Sequence, residues 1–264
     1  MVRKRGQITI FILFSLSILI IVGFLFYLNS QVKEIKENVK AQSASLDFST
    51  PIKNYVDLCL KRIGESALYF TGLQGGFFNK PTYKIDSNWF FYNFFHAFYL
   101  YKGRNVMPSL QTMEREISNY IELNLDNCID DFKDFDGLGY KIKRNGFTAT
   151  TSINKDTVAF GLNFPMEVEK GQKSVSIQNF VVEIPSRINL IHNLAENITN
   201  DQLNHLGQIC ISCLIDLGDE NNLYFELIPK AANVTLIAVE DNQTKLDNKP
   251  YTFVFAIDHN PKVA

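Results

Sequence analysis

Four cysteines are the residues of this chain best suited to covalent chemistry. Cys210 and Cys213 form a C-x-x-C motif, which in thiol oxidoreductases lies exposed at a helix N-terminus, where the reactive thiolate is stabilised. Here the apolar pattern of HLGQICISCLIDL predicts a helix that begins upstream of the motif and surrounds it with Ile and Leu side chains. The sequence therefore favours a buried cysteine pair over redox catalysis.

The other two cysteines, Cys59 and Cys128, are predicted to form a disulfide. Each lies on the apolar side of a predicted helix, and Cys210 and Cys213 share one helical turn, which leaves Cys59 and Cys128 as the long-range pair. Disulfides form and persist in exported domains. Closing this loop should stabilise the fold by about 4 kcal/mol. The alternative is a set of free, buried thiols.

No other pattern in the sequence indicates a catalytic or metal site. His192 and His205 precede the single C-x-x-C motif, but a structural zinc site needs four closely spaced ligands. The acidic run before Gly137 does not fit an EF-hand loop, since that register puts Phe132 first and Lys143 last, where carboxylates are required. There is also no G-x-S-x-G or H-E-x-x-H motif. We therefore assign no catalytic, cofactor-binding or metal-ligating residue, expect no cofactor, and expect the chain not to be an enzyme.

The charge balance gives no electrostatic case for a nucleic-acid partner. The chain has 26 Lys and Arg against 28 Asp and Glu, a formal net charge of −2, whereas nucleic-acid binding requires a strongly basic patch. The 264 residues, less an anchor and a stalk, suit one domain with a substantial core.

The N-terminal segment predicts a membrane anchor. Residues 8–28 contain no charged residue, and a helix of this length, at about 1.5 Å per residue, matches a hydrocarbon core of about 30 Å. Arg3, Lys4 and Arg5 precede it, so the positive-inside rule keeps the N-terminus cytoplasmic. We expect a single-pass protein of the cell membrane. Its parts are a cytoplasmic basic segment at 1–7, a transmembrane helix in contact with lipid at 8–28, a stalk at 29–49 and an extracytoplasmic domain at 50–264.

The junction between the basic segment and the anchor, RGQITIF at residues 5–11, resembles the class III signal peptides of archaeal type IV pilin-like proteins. In that family a prepilin peptidase cuts on the cytoplasmic side, between a Gly preceded by basic residues and a Gln, and leaves the hydrophobic helix on the mature protein. The resemblance implies a processing site between Gly6 and Gln7. Many such pilins place a Glu five residues into the mature chain, where this chain has Phe11.

Three further sequences, YVDLCL, LQGG and NCIDDF, are similar to a family of membrane-anchored proteins of small-genome archaea. This resemblance implies anchoring but no activity.

Helices are predicted in the first part of the domain. Thr50 and Pro51 begin one helix, which should end at Gly72 or at the Gly75-Gly76 pair. The aromatic run from Trp89 to Tyr101 is predicted to be a strand. A further helix should begin at Pro108 and Ser109.

The second part of the domain alternates with period two. YKIKR and FTATTSI flank Asn145-Gly146, a strong signal for a hairpin with a type I′ turn, and two more strands follow on either side of Lys170-Gly171. A helical stretch from Pro185 to Leu217, interrupted near Thr199, precedes three final strands. Because helices and strands are segregated, we predict an α+β fold: an N-terminal transmembrane helix followed by a soluble domain with antiparallel sheets.

Three N-x-T sequons begin at Asn197, Asn233 and Asn242. Each is a candidate N-glycosylation site if the domain is exported.

Three functions remain open. The first is an anchored extracytoplasmic structural or interaction protein, including a pilin-like surface component, which binds a protein partner or a second copy of itself. The second is an anchored thiol oxidoreductase that uses Cys210 and Cys213. The third is a ligand-binding module with the aromatic residues of 90–101 as its platform, which requires those rings to be exposed.

Overall fold

The computed structural model describes residues 48–89, 92–205, 207 and 209–260. The predicted cytoplasmic segment, the predicted transmembrane helix, the Gly6–Gln7 processing site and residues 29–47 of the predicted stalk lie outside the described residues. Among the residues that are described, no helix is both long enough and apolar enough to cross a membrane. The described chain is a mixed α+β domain, which agrees with the fold class predicted for this part of the sequence.

The described chain contains four main helices: α1 (Thr50–Leu73), α2 (Leu110–Ile129), α3 (Ile188–Asn204) and α4 (Ile211–Asn221). Two short helical turns follow α2 at Asp130–Phe132 and Lys133–Asp136. Helix α1 ends near the predicted glycines, because Gly75 and Gly76 adopt φ values of 68° and 88° and the Gly76 N–H donates to the Thr71 carbonyl at 2.7 Å. Ser109 caps α2, as predicted, by accepting a hydrogen bond from the Thr112 N–H at 3.2 Å.

Two sheets contain the described strands: β1 (Lys84–Trp89), β2 (Tyr92–Tyr101), β3 (Arg104–Asn105), β4 (Tyr140–Arg144), β5 (Thr148–Ile153), β6 (Thr157–Lys170), β7 (Lys173–Pro185), β8 (Tyr224–Ala231), β9 (Val234–Leu246) and β10 (Lys249–Asp258). The six-stranded sheet has the order β1-β2-β10-β9-β8, with β3 paired to β2. Its β2–β10 pair is parallel, so the prediction of antiparallel sheets is wrong at this pair. These two strands are joined by most of the domain rather than by a turn, and such a connection permits parallel pairing.

The hairpin predicted at Asn145-Gly146 does not form in the four-stranded sheet. Strands β4 and β5 do not pair with each other; both pair with β6, end to end along the same side. The interruption lies opposite Pro165, whose carbonyl accepts a hydrogen bond from the Asn145 N–H at 3.0 Å. Pro165 has no N–H to donate to the ladder, and the register of β6 shifts between Asn163 and Met166. The partner strand is therefore broken at that point.

The aromatic run predicted as one strand forms parts of two strands. β1 and β2 pair as an antiparallel hairpin, in which Lys84 lies opposite Ala97 and Trp89 opposite Tyr92. The side chains of Phe95 and Tyr99 are at most 2 % exposed, and the Tyr99 ring stacks on Phe255 at a centroid distance of 4.6 Å. The described part of this segment therefore packs in the core, which argues against the aromatic ligand platform.

Helix α1 approaches both sheets closely through glycines. A Cβ added to Gly64 would lie 2.5 Å from the Phe160 ring of β6, and a Cβ added to Gly72 would lie 2.8 Å from the Thr252 carbonyl and from the Tyr251 hydroxyl of β10. Real Cβ atoms do not approach other atoms this closely. The two glycines therefore set how near α1 lies to each sheet.

The Gly64→Ala variant tests this packing. In an exposed helix, alanine would stabilise by about 1 kcal/mol relative to glycine, but here it must displace the fully buried Phe160 ring, and overpacking costs about 1–3 kcal/mol. We expect a net loss of unfolding free energy of up to about 2 kcal/mol in urea titrations. Gly137→Ala is the control, because nothing lies within 4 Å of its Cβ position. A Gly64→Ala protein more stable than the parent would contradict the close approach.

Candidate functional site

The structure places a disulfide between Cys59 and Cys128, the pair predicted from the sequence, with their Cα atoms 5.6 Å apart. The bond joins α1 to the last turn of α2. Cys59 is only 2 % exposed, and the Tyr55 hydroxyl donates to the Cys128 carbonyl at 3.0 Å. Cys128 is half-buried, so this disulfide is held in the core at its Cys59 end and is less exposed than a pair that contains an exposed cysteine.

Cys210 and Cys213 also form a disulfide, with Cα atoms 5.2 Å apart, and their surroundings correct the prediction of burial within a helix. Helix α4 begins at Ile211, so Cys210 is its N-cap residue. Cys210 is half-buried and Cys213 is exposed. The motif thus lies at a helix N-terminus, which is the position that the sequence interpretation assigned to redox-active pairs and denied to this one.

The break between α3 and α4 lies later in the sequence than the interruption predicted near Thr199. The Thr199 side chain is buried and its hydroxyl donates to the Ala195 carbonyl at 2.7 Å, so this residue stays within α3. The helix ends at Asn204 instead, and Gly207 follows with a φ of 92°. Because α3 ends before the motif, Cys210 and Cys213 lie at the start of a second helix, α4, and not in the middle of one long helix.

The N-cap position gives the Cys210 sulfur a hydrogen-bond donor. The Cys213 N–H donates to Cys210 Sγ at 3.3 Å, and the Cys210 carbonyl accepts from the Leu214 N–H at 3.2 Å. Unpaired N–H groups and the positive end of the helix dipole stabilise negative charge at a helix N-terminus. A thiolate left on Cys210 after the disulfide opens would be stabilised by the same donors.

A buried ion pair holds the other end of α4. The Arg187 guanidinium pairs with the fully buried Asp241 carboxylate and also donates to the Asn221 carbonyl at 2.8 Å and the Asn222 carbonyl at 3.2 Å. Burial tends to raise the pKa of Asp241, but hydrogen bonds, first of all from Arg187 and then from Thr244, hold the pKa below its usual value. Asp241 therefore stays ionised at neutral pH, and this contact holds the C-terminal end of α4 without involving the cysteines.

Apolar side chains surround the motif on the outside of the domain. Ile211, Ile215 and Tyr224 are 60 %, 58 % and 62 % exposed. They line one groove of about 280 Å³ between α4 and β8, and both cysteines line a second groove of about 350 Å³ between α4 and α3. We call these three residues, together with Cys210 and Cys213, the α4 surface. Its apolar part could not be predicted from the sequence, because the exposure of Ile211, Ile215 and Tyr224 depends on where α4 begins.

The α4 surface lies in a segment without positive charge. Between Arg187 and Lys230 the chain has no Lys or Arg, but it has six carboxylates: Glu196, Asp201, Asp216, Asp219, Glu220 and Glu226. All six are exposed. Asp201, Asp216 and Glu220 line the groove beside the cysteines, and Asp219 lines the groove beside Tyr224. This charge run was visible in the sequence, but its position around the motif was not.

A larger groove of about 720 Å³ runs along α1, lined among others by Leu58, Lys61, Arg62 and Tyr69. Its rim carries charges of both signs, and it contains no cysteine or histidine. Size alone therefore does not identify it as the functional site.

The histidines near the motif do not join the cysteines. His192 is buried and its Nε2 donates to the Pro108 carbonyl at 2.9 Å, while the exposed His205 lies 3.1 Å from an Asp201 carboxylate oxygen. The described residues contain no group of three or more side chains placed to hold a metal ion. Asp131, in the acidic run after α2, and Asp126, in the last turn of α2, both pair with Arg144.

The sequon residues Asn197, Asn233 and Asn242 are all exposed. Asn233 donates to the Asn260 side chain at 2.7 Å, and Asn197 lines the groove beside the cysteines. A glycan on Asn197 would cover that groove.

Compared with protein-family models and with curated proteins, the chain has no match.

The two disulfides are expected to differ in their contribution to stability. Opening the Cys59–Cys128 loop, with a separation of 69 residues, should lower the unfolding free energy by about 4 kcal/mol, and opening the Cys210–Cys213 loop by only about 2 kcal/mol. Paired alanine variants at each disulfide, compared by urea unfolding without reductant, measure this difference. A larger loss in the Cys210→Ala/Cys213→Ala variant would show that this disulfide is the main structural constraint.

Proposed function

We propose that this chain is a membrane-anchored extracytoplasmic protein that interacts with partner proteins by thiol–disulfide exchange at Cys210 and Cys213. The observation that supports the proposal most is the position of the pair: a disulfide at the N-cap of α4, half-buried at Cys210 and exposed at Cys213. It combines the first two functions considered from the sequence, because the exchange takes place on an interaction surface.

The exchange has two steps. A partner thiolate attacks Sγ of the exposed Cys213, forms a mixed disulfide and releases a thiolate on Cys210, where the Cys213 N–H stabilises it. A second thiolate of the partner then attacks the mixed disulfide and leaves a partner disulfide and a reduced Cys210–Cys213 pair. Two electrons pass from the partner dithiol to the motif. Exchange with a second protein disulfide reoxidises the motif by the reverse steps.

The location in the cell is part of the proposal. Residues 8–28 would anchor the chain, the basic segment 1–7 would stay in the cytoplasm, and cleavage between Gly6 and Gln7 would leave the anchor attached. An oxidising exterior is the compartment in which disulfides persist, so the two disulfides are consistent with export. Pilin-like assembly remains a proposal based on the N-terminal resemblance alone.

Accessibility of the pair is the first test. Brief treatment of the folded protein with a small reductant, followed by a polyethylene-glycol maleimide, should add two labels, at Cys210 and Cys213. Cys59 and Cys128 should stay largely unlabelled in the same time, because Cys59 is buried and Cys128 is half-buried, whereas the other pair contains the exposed Cys213. Peptide mass spectrometry identifies the labelled residues, and the Cys210→Ala/Cys213→Ala variant is the control. Labelling that requires denaturant would refute the proposed exchange.

The single serine variants test the direction of attack. Cys210→Ser leaves the exposed Cys213 as a free thiol. This thiol is expected to attack a disulfide-linked peptide dimer and accumulate as a mixed disulfide, with release of the other peptide as a thiol, whereas Cys213→Ser should accumulate less. Equal amounts in both variants would contradict attack at Cys213.

The first residue of the mature protein tests the predicted processing of the anchor. Protein extracted from the membranes of an archaeal host that has a prepilin peptidase should begin at Gln7, and a Gly6→Leu variant should retain residues 1–6. Intact mass spectrometry distinguishes the two forms.

A protease experiment tests the topology. Protease added to intact cells should cleave the domain at 50–264. A protected domain, or release of the full chain by carbonate, would contradict the topology.

A further inference from the structure

The charge and the apolar residues around the motif indicate the kind of partner that it would accept, an inference that rests on the proposed thiol–disulfide exchange. The chain as a whole has a net charge of −2, but residues 188–229 carry −6 and the remainder carries +4. The negative charge is therefore concentrated in the segment that forms α3, α4 and β8. The disulfide lies at the start of α4, beside α3.

The carboxylates of α4 are not neutralised by neighbours. Among the described residues, Asp216, Asp219 and Glu220 have no ion-pair partner, and Asp201 pairs only with the exposed His205. An incoming thiolate is itself negative, so these carboxylates disfavour its approach. A partner that carries positive charge beside its cysteine offsets that repulsion.

The positions of Asp216, Asp219 and Glu220 do not stabilise α4. Negative side chains stabilise a helix at its first turn and destabilise it at its last turn. Helix α4 has no acidic residue in its first turn and no basic residue in its last, while Asp219 and Glu220 lie near its C-terminal end. Arg187, which donates to the carbonyls of Asn221 and Asn222, partly offsets this arrangement. Stability of the helix therefore does not account for the three carboxylates.

The apolar residues line the neighbouring groove, on the β8 side of α4. Ile211 is next to Cys210 in the chain, Ile215 is one turn further along α4, and Tyr224 lines the same groove at the start of β8, the outer strand of its sheet. Their exposed area is joined into one groove rather than scattered, which is typical of a surface that binds another protein. Cys210 and Cys213 line the groove on the α3 side, so a partner segment bound at Cys213 contacts the apolar groove by extending across the start of α4 at Ile211.

We infer that the α4 surface accepts a cysteine in a positively charged protein segment that has apolar side chains beside that cysteine. The carboxylates attract the Lys or Arg side chains, and the groove of Ile211, Ile215 and Tyr224 binds the apolar ones. Small anionic thiols are poor partners for the same disulfide.

Three synthetic thiol peptides test this inference on the folded, oxidised domain: KLCLK, ELCLE and KGCGK, each with blocked ends. Each rate of opening of the Cys210–Cys213 disulfide is divided by the rate of the same peptide with a small neutral disulfide, which removes differences in thiol reactivity. At about 10 mM salt, KLCLK should react on the order of tenfold faster than ELCLE. At about 1 M salt, where the screening length is about 3 Å, that preference should largely disappear. KLCLK should also exceed KGCGK at both salt concentrations.

Matched variants assign the two preferences to residues. The triple variant Asp216→Asn/Asp219→Asn/Glu220→Gln should lose the preference for KLCLK over ELCLE. A control with the same change in net charge, Asp130→Asn/Asp134→Asn/Asp136→Asn after α2, should keep it. Ile211→Ser/Ile215→Ser should reduce the preference for KLCLK over KGCGK and leave the salt effect intact.

The outcomes separate the two proposals. If no peptide opens the disulfide of the folded domain, the exchange function fails. If all three peptides open it at equal normalised rates, the function stands and the inferred partner is refuted. An equal loss of preference in the control triple variant would also refute it, since the effect would then come from net charge rather than from the α4 surface.

Discussion

The close packing of helix α1 on two sheets is the constraint on which the rest of this domain depends. At Gly64 the helix meets Phe160 of the four-stranded sheet, and at Gly72 it meets β10 of the six-stranded sheet. A side chain at either position would separate the helix from a sheet. The Cys59–Cys128 disulfide then ties the same helix to α2.

The turn after α1 extends this constraint into the centre of the six-stranded sheet. The buried His96 of β2 donates from Nδ1 to the Leu73 carbonyl at 2.8 Å, and the Tyr99 hydroxyl donates to the Gly75 carbonyl at 3.3 Å. Burial lowers the pKa of His96, more than its hydrogen bond to Leu73 raises it. The ring is therefore neutral at neutral pH and satisfies one carbonyl at the helix end without placing a charge in the core. These two hydrogen bonds connect the end of α1 to β2, which is paired in turn with β10.

Local signals in the sequence predicted the elements whose ends depend on local chemistry. Ser109, Gly75-Gly76 and Lys170-Gly171 each set a helix end or a turn by capping or by a permitted positive φ. Helix α1 begins at Thr50, where Thr50 and Pro51 predicted a helix start. Asn145-Gly146 failed as a turn because its outcome depends on Pro165 in another strand. The parallel β2–β10 pair is likewise set by residues far apart in the chain, and no local pattern encodes it.

The predicted burial of Cys210 and Cys213 was wrong for a similar reason. The C-x-x-C motif is plain in the sequence, but its exposure depends on where α4 starts. An apolar sequence such as ICISCLIDL fits a helix interior and a helix start equally well, because its period is the same in both. Gly207, with its positive φ, marks the break, yet an isolated glycine in a helical pattern is also tolerated. Small changes in a predicted boundary therefore have little effect on the fold class but reverse the chemistry expected of a motif at that boundary.

The proposed exchange at Cys210 and Cys213 also requires that the domain remain folded while the disulfide is open. Three features meet that requirement. The far end of α4 is held by Arg187 and Asp241, which do not involve the cysteines. Its inner face packs at the start of β8: a Cβ added to Gly218 would lie 2.7 Å from the carbonyl of Leu223, the residue before β8, and 3.5 Å from the Phe225 ring. The core disulfide is a separate bond, and one of its cysteines, Cys59, is buried. Reduction of the motif would thus free two sulfur atoms at one end of a helix that is held at the other end and along its side, which would keep the reduced pair on the surface, as the proposed exchange requires.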